Sequence, residues 1–391
     1  MTKFKENLQD VLETKHDDYC LLRFLRAREF DLQKSEYMFR QDIEWRAKTK
    51  IDTLVDDYKA PEVCEKYWAG GVLDGYDKEQ GPIWILPAGT IDPKGLLYSC
   101  KTRDILTFLY MQITKLVRNN ETRCKQACPR IDWGTTVIFD AEGIGLRHLW
   151  KPFIDVVTEI LSTGELHYPE TGKRIFIIKA PAIFPVAFSL CKPFLKEHTK
   201  EKIKVLGGNW KEVVLEHIDA DVLPVHWGGT KTDPDGDPKC PSMIKPGGEV
   251  PKSYYKNVDR FEDDTKYITK DISRGAVHEV AFDVSQRGSL LRYLFKSNGH
   301  DISFGINYID AAGKRTSILE IKRYNSHMVP EDGEMELERP GKYIMVFDNS
   351  YSWTRGKRIS YWLEIVEPSL DLMEGDDDTD FLQAVIQESD P

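Results

Sequence analysis

The sequence predicts a multidomain chain: helices first, an α/β layer second and an all-β sandwich third. Three observations carry that prediction. Apolar residues recur at helical spacing before residue 60, as in Met38, Phe39 and Ile43. Short, nearly continuous apolar runs alternate with helical patterns between residues 72 and 230, the texture of a sheet covered on both faces. From residue 252 the pattern becomes period-two alternation, as in Val280, Phe282 and Val284, the texture of half-buried antiparallel strands. A chain of 391 residues is long enough for two or three such units.

Each element has its own justification. Leu8, Val11 and Leu12 suggest a short first helix, and Tyr19 to Arg28 and Leu32 to Trp45 give two more. Phe24, Leu25 and Phe30 should face inward, with Asp31 as the N-cap of the next helix. Ile83 to Leu86, Thr136 to Phe139 and Arg174 to Ile178 read as buried strands. The patterns at Thr102 to Arg118, Leu149 to Leu161, Val186 to Lys196 and Trp210 to His217 read as helices between and after them. Residues 231–251, dense in Pro, Gly and Asp, read as a linker or ordered connection rather than a core element. Ser289 to Lys296 and Asp301 to Ile309 flank Asn298 and Gly299, a strong hairpin signal. Lys342 to Phe347 and Arg358 to Val366 complete the alternating strands of a sandwich. The predicted parts are 1–60, 61–230, 231–251, 252–367 and a tail at 368–391.

Composition excludes several classes. Nine Trp, 17 Tyr and 17 Phe supply ample core, so the chain is not disordered throughout. The net charge is −10, but the tail holds eight acids and no Lys or Arg, leaving the body near neutral. A body without a basic field does not draw phosphate backbones, so nucleic acid is not an expected partner. The longest promising apolar stretch, Ala180 to Cys191, is too short and too rich in proline for a membrane span. The first fifteen residues alternate charge with apolarity, so no secretory leader is expected. Seven irregularly spaced cysteines fit free thiols in a reducing cytosol. In the tail, Phe381 to Ile386 could form a short docking helix.

No catalytic motif stands out. The phosphate-cradling pattern G-x-x-x-x-G-K-[ST] is absent, and Gly143 and Gly145 lack the third glycine of a dinucleotide turn. Cys124 and Cys128 have no second ligand pair nearby, and Asp233, Asp235 and Asp237 read as a solvated turn rather than a calcium loop. The expectation is a protein that is not an enzyme, with no metal and no cofactor. Trp210 and Trp227 read as packing residues, and His167 as a surface or satisfied histidine. Tyr351 and Trp353 read either as half-buried packing or as an exposed patch.

Several segments together carry a resemblance. Leu21 to Arg28 (LLRFLRAR) with Phe30 and Asp31 is followed by Phe139 to Leu146 (FDAEGIGL). Tyr168-Pro169-Glu170, Lys179-Ala180-Pro181, Lys192 to Leu195, Lys202-Ile203, Leu223-Pro224 and Gly228-Gly229 come next, in that order. This series resembles the CRAL-TRIO lipid-transfer proteins. Tyr324 to Gly333 and Phe347 to Trp353 resemble a GOLD β-sandwich domain. The resemblance covers roughly residues 1–366 and leaves the acidic tail outside it.

The resemblance implies a cytosolic carrier that encloses one lipid or isoprenoid ligand, of the phosphatidylinositol, tocopherol or squalene class. It would associate transiently with a membrane surface. By the same resemblance Glu170 and Lys202 would hold an inositol headgroup, with Thr199, Arg28 and, weakly, Thr135 near it. Glu29 stands where phosphoinositide-transfer members carry lysine, which places a negative charge near the phosphate path. The segment Ile183 to Leu195 would be a gate, with Phe184, Phe188, Phe194 and Leu195 touching lipid and Lys192 and Lys196 meeting anionic headgroups. A GOLD domain implies a possible protein partner, and hence the alternative of a ligand-gated adaptor regulating a trafficking or lipid-synthesis enzyme.

Overall fold

The computed structural model describes residues 1–127, 134–256, 267–328 and 330–369. The tail reading, its docking helix and the Cys124/Cys128 side chains lie outside the described residues.

The N-terminal part is helical: α1 (Thr2–Asn7), α2 (Asp18–Arg26), α3 (Leu32–Thr49) and α4 (Ile51–Asp57). Phe24 and Leu25 are buried, and Asp31 caps α3 by accepting from the Lys34 N–H at 3.0 Å. Phe30 departs from expectation and is 60% exposed. Glu29 and Phe30 both adopt positive φ (52° and 62°) in the turn between α2 and α3, which takes Phe30 off the buried stripe. The first helix ends before Leu8, Val11 and Leu12, which nonetheless pack with the cluster of Phe4, Phe24 and Phe39.

The middle part follows α5 (Glu62–Tyr67) with β1 (Gly71–Tyr76), β2 (Pro82–Pro87), α6 (Pro93–Ser99), α7 (Thr102–Ala127) and β3 (Thr135–Asp140). Then come α8 (Lys151–His167), β4 (Gly172–Ile178), α9 (Phe184–Cys191), α10 (Glu197–Lys200), β5 (Ile203–Val205) and α11 (Trp210–His217). The sheet order is β1-β2-β3-β4-β5, parallel except for the antiparallel edge β1. On one face Ile83, Ile85, Ile138, Phe176 and Ile178 pack under Trp210 and Val214 of α11. Residues 231–251 are an ordered connection that, against expectation, also contributes to the core: Cys240, Ile244 and Val250 are buried, and Gly70 and Lys245 form a bridge at the edge of β1. A side chain at Gly71 would collide with the Met243 carbonyl, so glycine permits this close approach.

The C-terminal part contains β6 (Ile268–Ile272), β7 (Val277–Val284), β8 (Ser289–Ser297), β9 (Ile302–Ile309), β10 (Arg315–Tyr324), β11 (Glu331–Leu337), β12 (Gly341–Asp348) and β13 (Lys357–Val366). They form two antiparallel sheets, ordered β10-β9-β12-β7 and β11-β8-β13-β6. The aromatic core joins them, with the Phe295 and Phe304 rings 4.5 Å apart. Asn298 and Gly299 do not make a hairpin, because β8 and β9 lie in different sheets. Gly299 supplies the turn with φ 82°, but the chain crosses the sandwich there.

Candidate functional site

The second face of the five-stranded sheet builds the site. Strand pairing aligns Trp84, Val137, Ile175 and Ile203 in one row, and Leu86, Phe139, Ile177 and Val205 in the next. Trp84, Val137 and Ile175 of the first row floor a cavity of about 1220 Å³. Its walls come from Ile113, Leu116 and Val117 of α7, Ile160 and Leu161 of α8, and Leu22 of α2. The Trp84 ring lines the cavity, while its indole N–H is closed off from it and has no hydrogen-bond partner among the described residues.

One end of the cavity is charged. Glu170 follows the last turn of α8 with φ 57°, and its Oε2 accepts from Lys202 Nζ at 2.9 Å and lies 3.1 Å from His198 Nε2. Burial alone would raise the Glu170 pKa, but the bonds and charges of Lys202 and His198 outweigh it and hold the carboxyl below its ordinary range. Lys196 Nζ donates to the Glu165 carbonyl at 3.0 Å. Burial and the charge of Arg28 hold its ammonium below the ordinary lysine pKa. Tyr168 anchors this end: it is buried, its hydroxyl lies 2.6 Å from Thr114 Oγ1, and Arg46 stacks on its ring. His167 is satisfied by Asp42 at 3.1 Å and by stacking on Trp45, so α3 braces the turn.

The structure brings Glu170, Lys202, Thr199, Thr135, Leu195 and Lys196 together around this cavity. Arg28 stands off the wall, its Nη1 donating to the Ala27 carbonyl at 2.7 Å. Arg23 and Arg26 of the same motif line the cavity instead, and Glu29 and Phe30 border it. Their signal was helical spacing: Tyr19, Leu22, Arg23 and Arg26 share one stripe of α2.

Helix α9 covers the sheet beside the cavity with two apolar faces. Phe184 and Phe188 are buried against Phe139, Ile177 and Val205, so in this conformation they meet protein and neither solvent nor membrane. Phe194 is 42% exposed, and Lys192 is half-buried in the short turn Lys192–Phe194 that follows. The other face, Val186, Ala187 and Leu190, packs on Leu149 and Ile154 and on Leu290 and Val366 of the β-sandwich. The Ser369 N–H donates to the Pro185 carbonyl at 3.2 Å. Lys94 of α6 adds a bridge to Asp332 of β11 at 2.9 Å.

Asp140, Glu142 and His226 place donor atoms within 4.8 Å of one another. Lys179 already supplies the cation there, at 3.2 Å from Asp140 and 2.7 Å from Glu142, and the Trp227 indole donates to Asp140 at 2.9 Å. Asp233 accepts from the Ser242 backbone at 2.9 Å and its hydroxyl at 2.6 Å, which closes the turn read from sequence. Among the described residues no helix is long and apolar enough to cross a membrane.

The site is therefore a largely apolar cavity with one charged end, floored by the parallel strands of the sheet and walled by helices. Comparison with family models matches residues 69–229 to the CRAL/TRIO domain and residues 2–41 to the CRAL/TRIO N-terminal domain. Domains of this family bind lipophilic ligands and transfer them. The chain is 31% identical to Protein real-time of Aedes aegypti over 325 residues, which is 79% of this chain and 49% of that protein. It thus spans about half the length of that relative. The crystal structure of Sfh5 aligns over 60% of this chain and 77% of its own, at 13% identity and a TM-score of 0.43. A periplasmic lysozyme inhibitor of Aeromonas hydrophila aligns over 25% of this chain and 83% of its own, at 10% identity and a TM-score of 0.20.

Proposed function

We propose that the protein is a cytosolic lipid carrier that encloses one lipophilic molecule, associates transiently with membranes and exchanges its cargo there without covalent chemistry. The observation that supports this reading most is the cavity of about 1220 Å³, apolar along its length and charged at one end. Pockets for drug-sized ligands occupy roughly 300–1,000 Å³, so this space suits a lipid. Each CH₂ withdrawn from water contributes about 0.8 kcal/mol, which favours enclosure of an acyl or isoprenoid chain.

The charged end suits a polar headgroup. Glu170 accepts from hydroxyls, while Lys202, Arg23 and Arg26 offer cations to phosphate. Phosphatidylinositol is therefore the first ligand class. Glu29 at the mouth opposes a highly phosphorylated headgroup, and tocopherol-like or squalene-like ligands fill the same apolar length.

Release requires α9 and the turn after it to move. Phe194 and Leu195 then meet lipid, with Lys192 and Lys196 at the headgroup level, and Phe184 and Phe188 follow from their buried positions. That motion breaks the contacts of Val186 and Leu190 with Leu290 and Val366, so the sandwich, GOLD-like in this reading, couples to the gate. The same contact supports a second reading, in which cargo controls how the sandwich meets a protein partner. A two-vesicle assay with labelled phosphatidylinositol separates them. Transfer well above passive exchange supports the carrier, and cargo-dependent partner binding without transfer supports the adaptor.

A further inference from the structure

The loop end of the β-sandwich carries the two most exposed large apolar side chains among the described residues: Trp353 at 88% and Met328 at 74%. They project from loops that are tied together. Ser297 Oγ lies 2.8 Å from Ser326 Oγ, and Arg355 Nη1 lies 2.8 Å from His300 Nε2. Asn349, fully buried, donates to the Ser273 and Arg355 carbonyls at 3.0 and 3.1 Å. Tyr351 is clamped by Lys357 and by Arg323, which stacks on its ring at 3.6 Å. The bracing fixes the loop and still leaves the indole in water. Such a side chain ordinarily gains by burial, so its placement points to an external apolar medium.

The charges around it are net positive. Residues 273–276, 298–301, 323–328 and 348–357 contain Arg274, Arg323, Arg355 and Lys357 against only Asp301 and Asp348. Asp301 is neutralised by Lys357 at 3.1 Å and Arg323 at 3.6 Å, and Asp348 accepts from the Ser350 N–H at 2.6 Å. We propose that this end of the sandwich is a docking surface for anionic bilayers, with Trp353 and Met328 entering the interfacial region. Tryptophan prefers that region, and a cationic fringe adds attraction to anionic headgroups.

The surface is separate from the gate. Strand β13 runs from Lys357 at the loop end to Val366 against α9, a span of about 30 Å. The proposal rests on the carrier reading only in that a carrier must visit membranes.

The test is flotation of the full chain with phosphatidylcholine–phosphatidylserine vesicles and with pure phosphatidylcholine vesicles. The expected result is binding that needs phosphatidylserine and falls at least about tenfold in the paired Trp353→Ala and Met328→Ala variant. Arg274→Ala with Arg355→Ala should weaken binding to the anionic vesicles. Trp353→Phe should keep binding but lose part of the tryptophan quenching by brominated lipid. Unchanged binding in the Trp353/Met328 variant overturns the proposal. So does a wild-type chain that ignores anionic vesicles, even if the same loops capture a protein. Cavity loading is read separately by native mass spectrometry, so failure of the carrier reading and failure of docking give different signatures.

Discussion

Lys202 and Glu170, thirty-two residues apart in sequence, meet at 2.9 Å at the charged end of the cavity. The pair is only partly desolvated, and His198 shares the carboxylate. The groups therefore satisfy each other without a ligand and remain able to engage one. Replacing both, as Glu170→Gln with Lys202→Met, should weaken phosphatidylinositol binding about ten- to a hundredfold, the range of charge-assisted hydrogen bonds. Binding of tocopherol should change little. Equal loss of both ligands with an unchanged melting curve would assign the pair to structure alone.

Leu290 and Leu291 are adjacent, both fully buried, and face opposite ways. Leu291 enters the sandwich core, while Leu290 packs with Val186 of α9. Either change to alanine should cost about 2–5 kcal/mol of local packing. Leu290→Ala should also accelerate release of bound fluorescent lipid, because it loosens the gate. Leu291→Ala should lower the melting temperature with less effect on release. Identical release rates would separate the sandwich from gating.

Glu334 gives a pH prediction for the same interface. It lies opposite Arg292 on β8, which in turn faces Glu364 on β13. Burial pushes the Glu334 carboxyl up to about 7; Lys94 and Arg292 oppose that rise and Asp332 adds to it. Because the folded pKa lies above the unfolded one, its contribution is fully present below about pH 4.5 and is lost as pH rises through about 7. Glu334→Gln should therefore stabilise the protein at pH 8 relative to pH 6, by up to ~1 kcal/mol after allowing for solvent screening. Melting curves of both forms at the two pH values check the sign. An equal gain at both would assign the effect to something other than this ionisation.

The fold was legible where burial on both faces makes a continuous run, as at Ile83 to Leu86 and Arg174 to Ile178. The short edge strands β1 and β5 escaped because three to six residues carry too little pattern. Residues 231–251 escaped because single anchors, Ile244 and Val250, are spread through turn residues. Asn298 and Gly299 report a reversal of the chain but not which sheet the next strand joins.

The site was legible in its charged end, since Glu170 and Lys202 sit in motifs that the resemblance reads residue by residue. The cavity floor was not, because the row of Trp84, Val137 and Ile175 exists only through strand register. Arg28 was chosen over Arg23 and Arg26 by motif position, whereas the helical stripe decides which arginine faces the cavity. The buried placement of Phe184 and Phe188 depends on Phe139, Ile177 and Val205 of the sheet beneath them, which no local pattern records.

The central claim is that the cavity carries one lipid, and native mass spectrometry of the full chain purified from its own kind of cell tests it most directly. The account predicts one lipid mass per chain, identified after organic extraction, and its loss in a folded Val137→Trp variant that fills the floor of the cavity. A folded wild-type chain with no bound lipid, or a lipid still bound when Val137 is replaced by tryptophan, would contradict it.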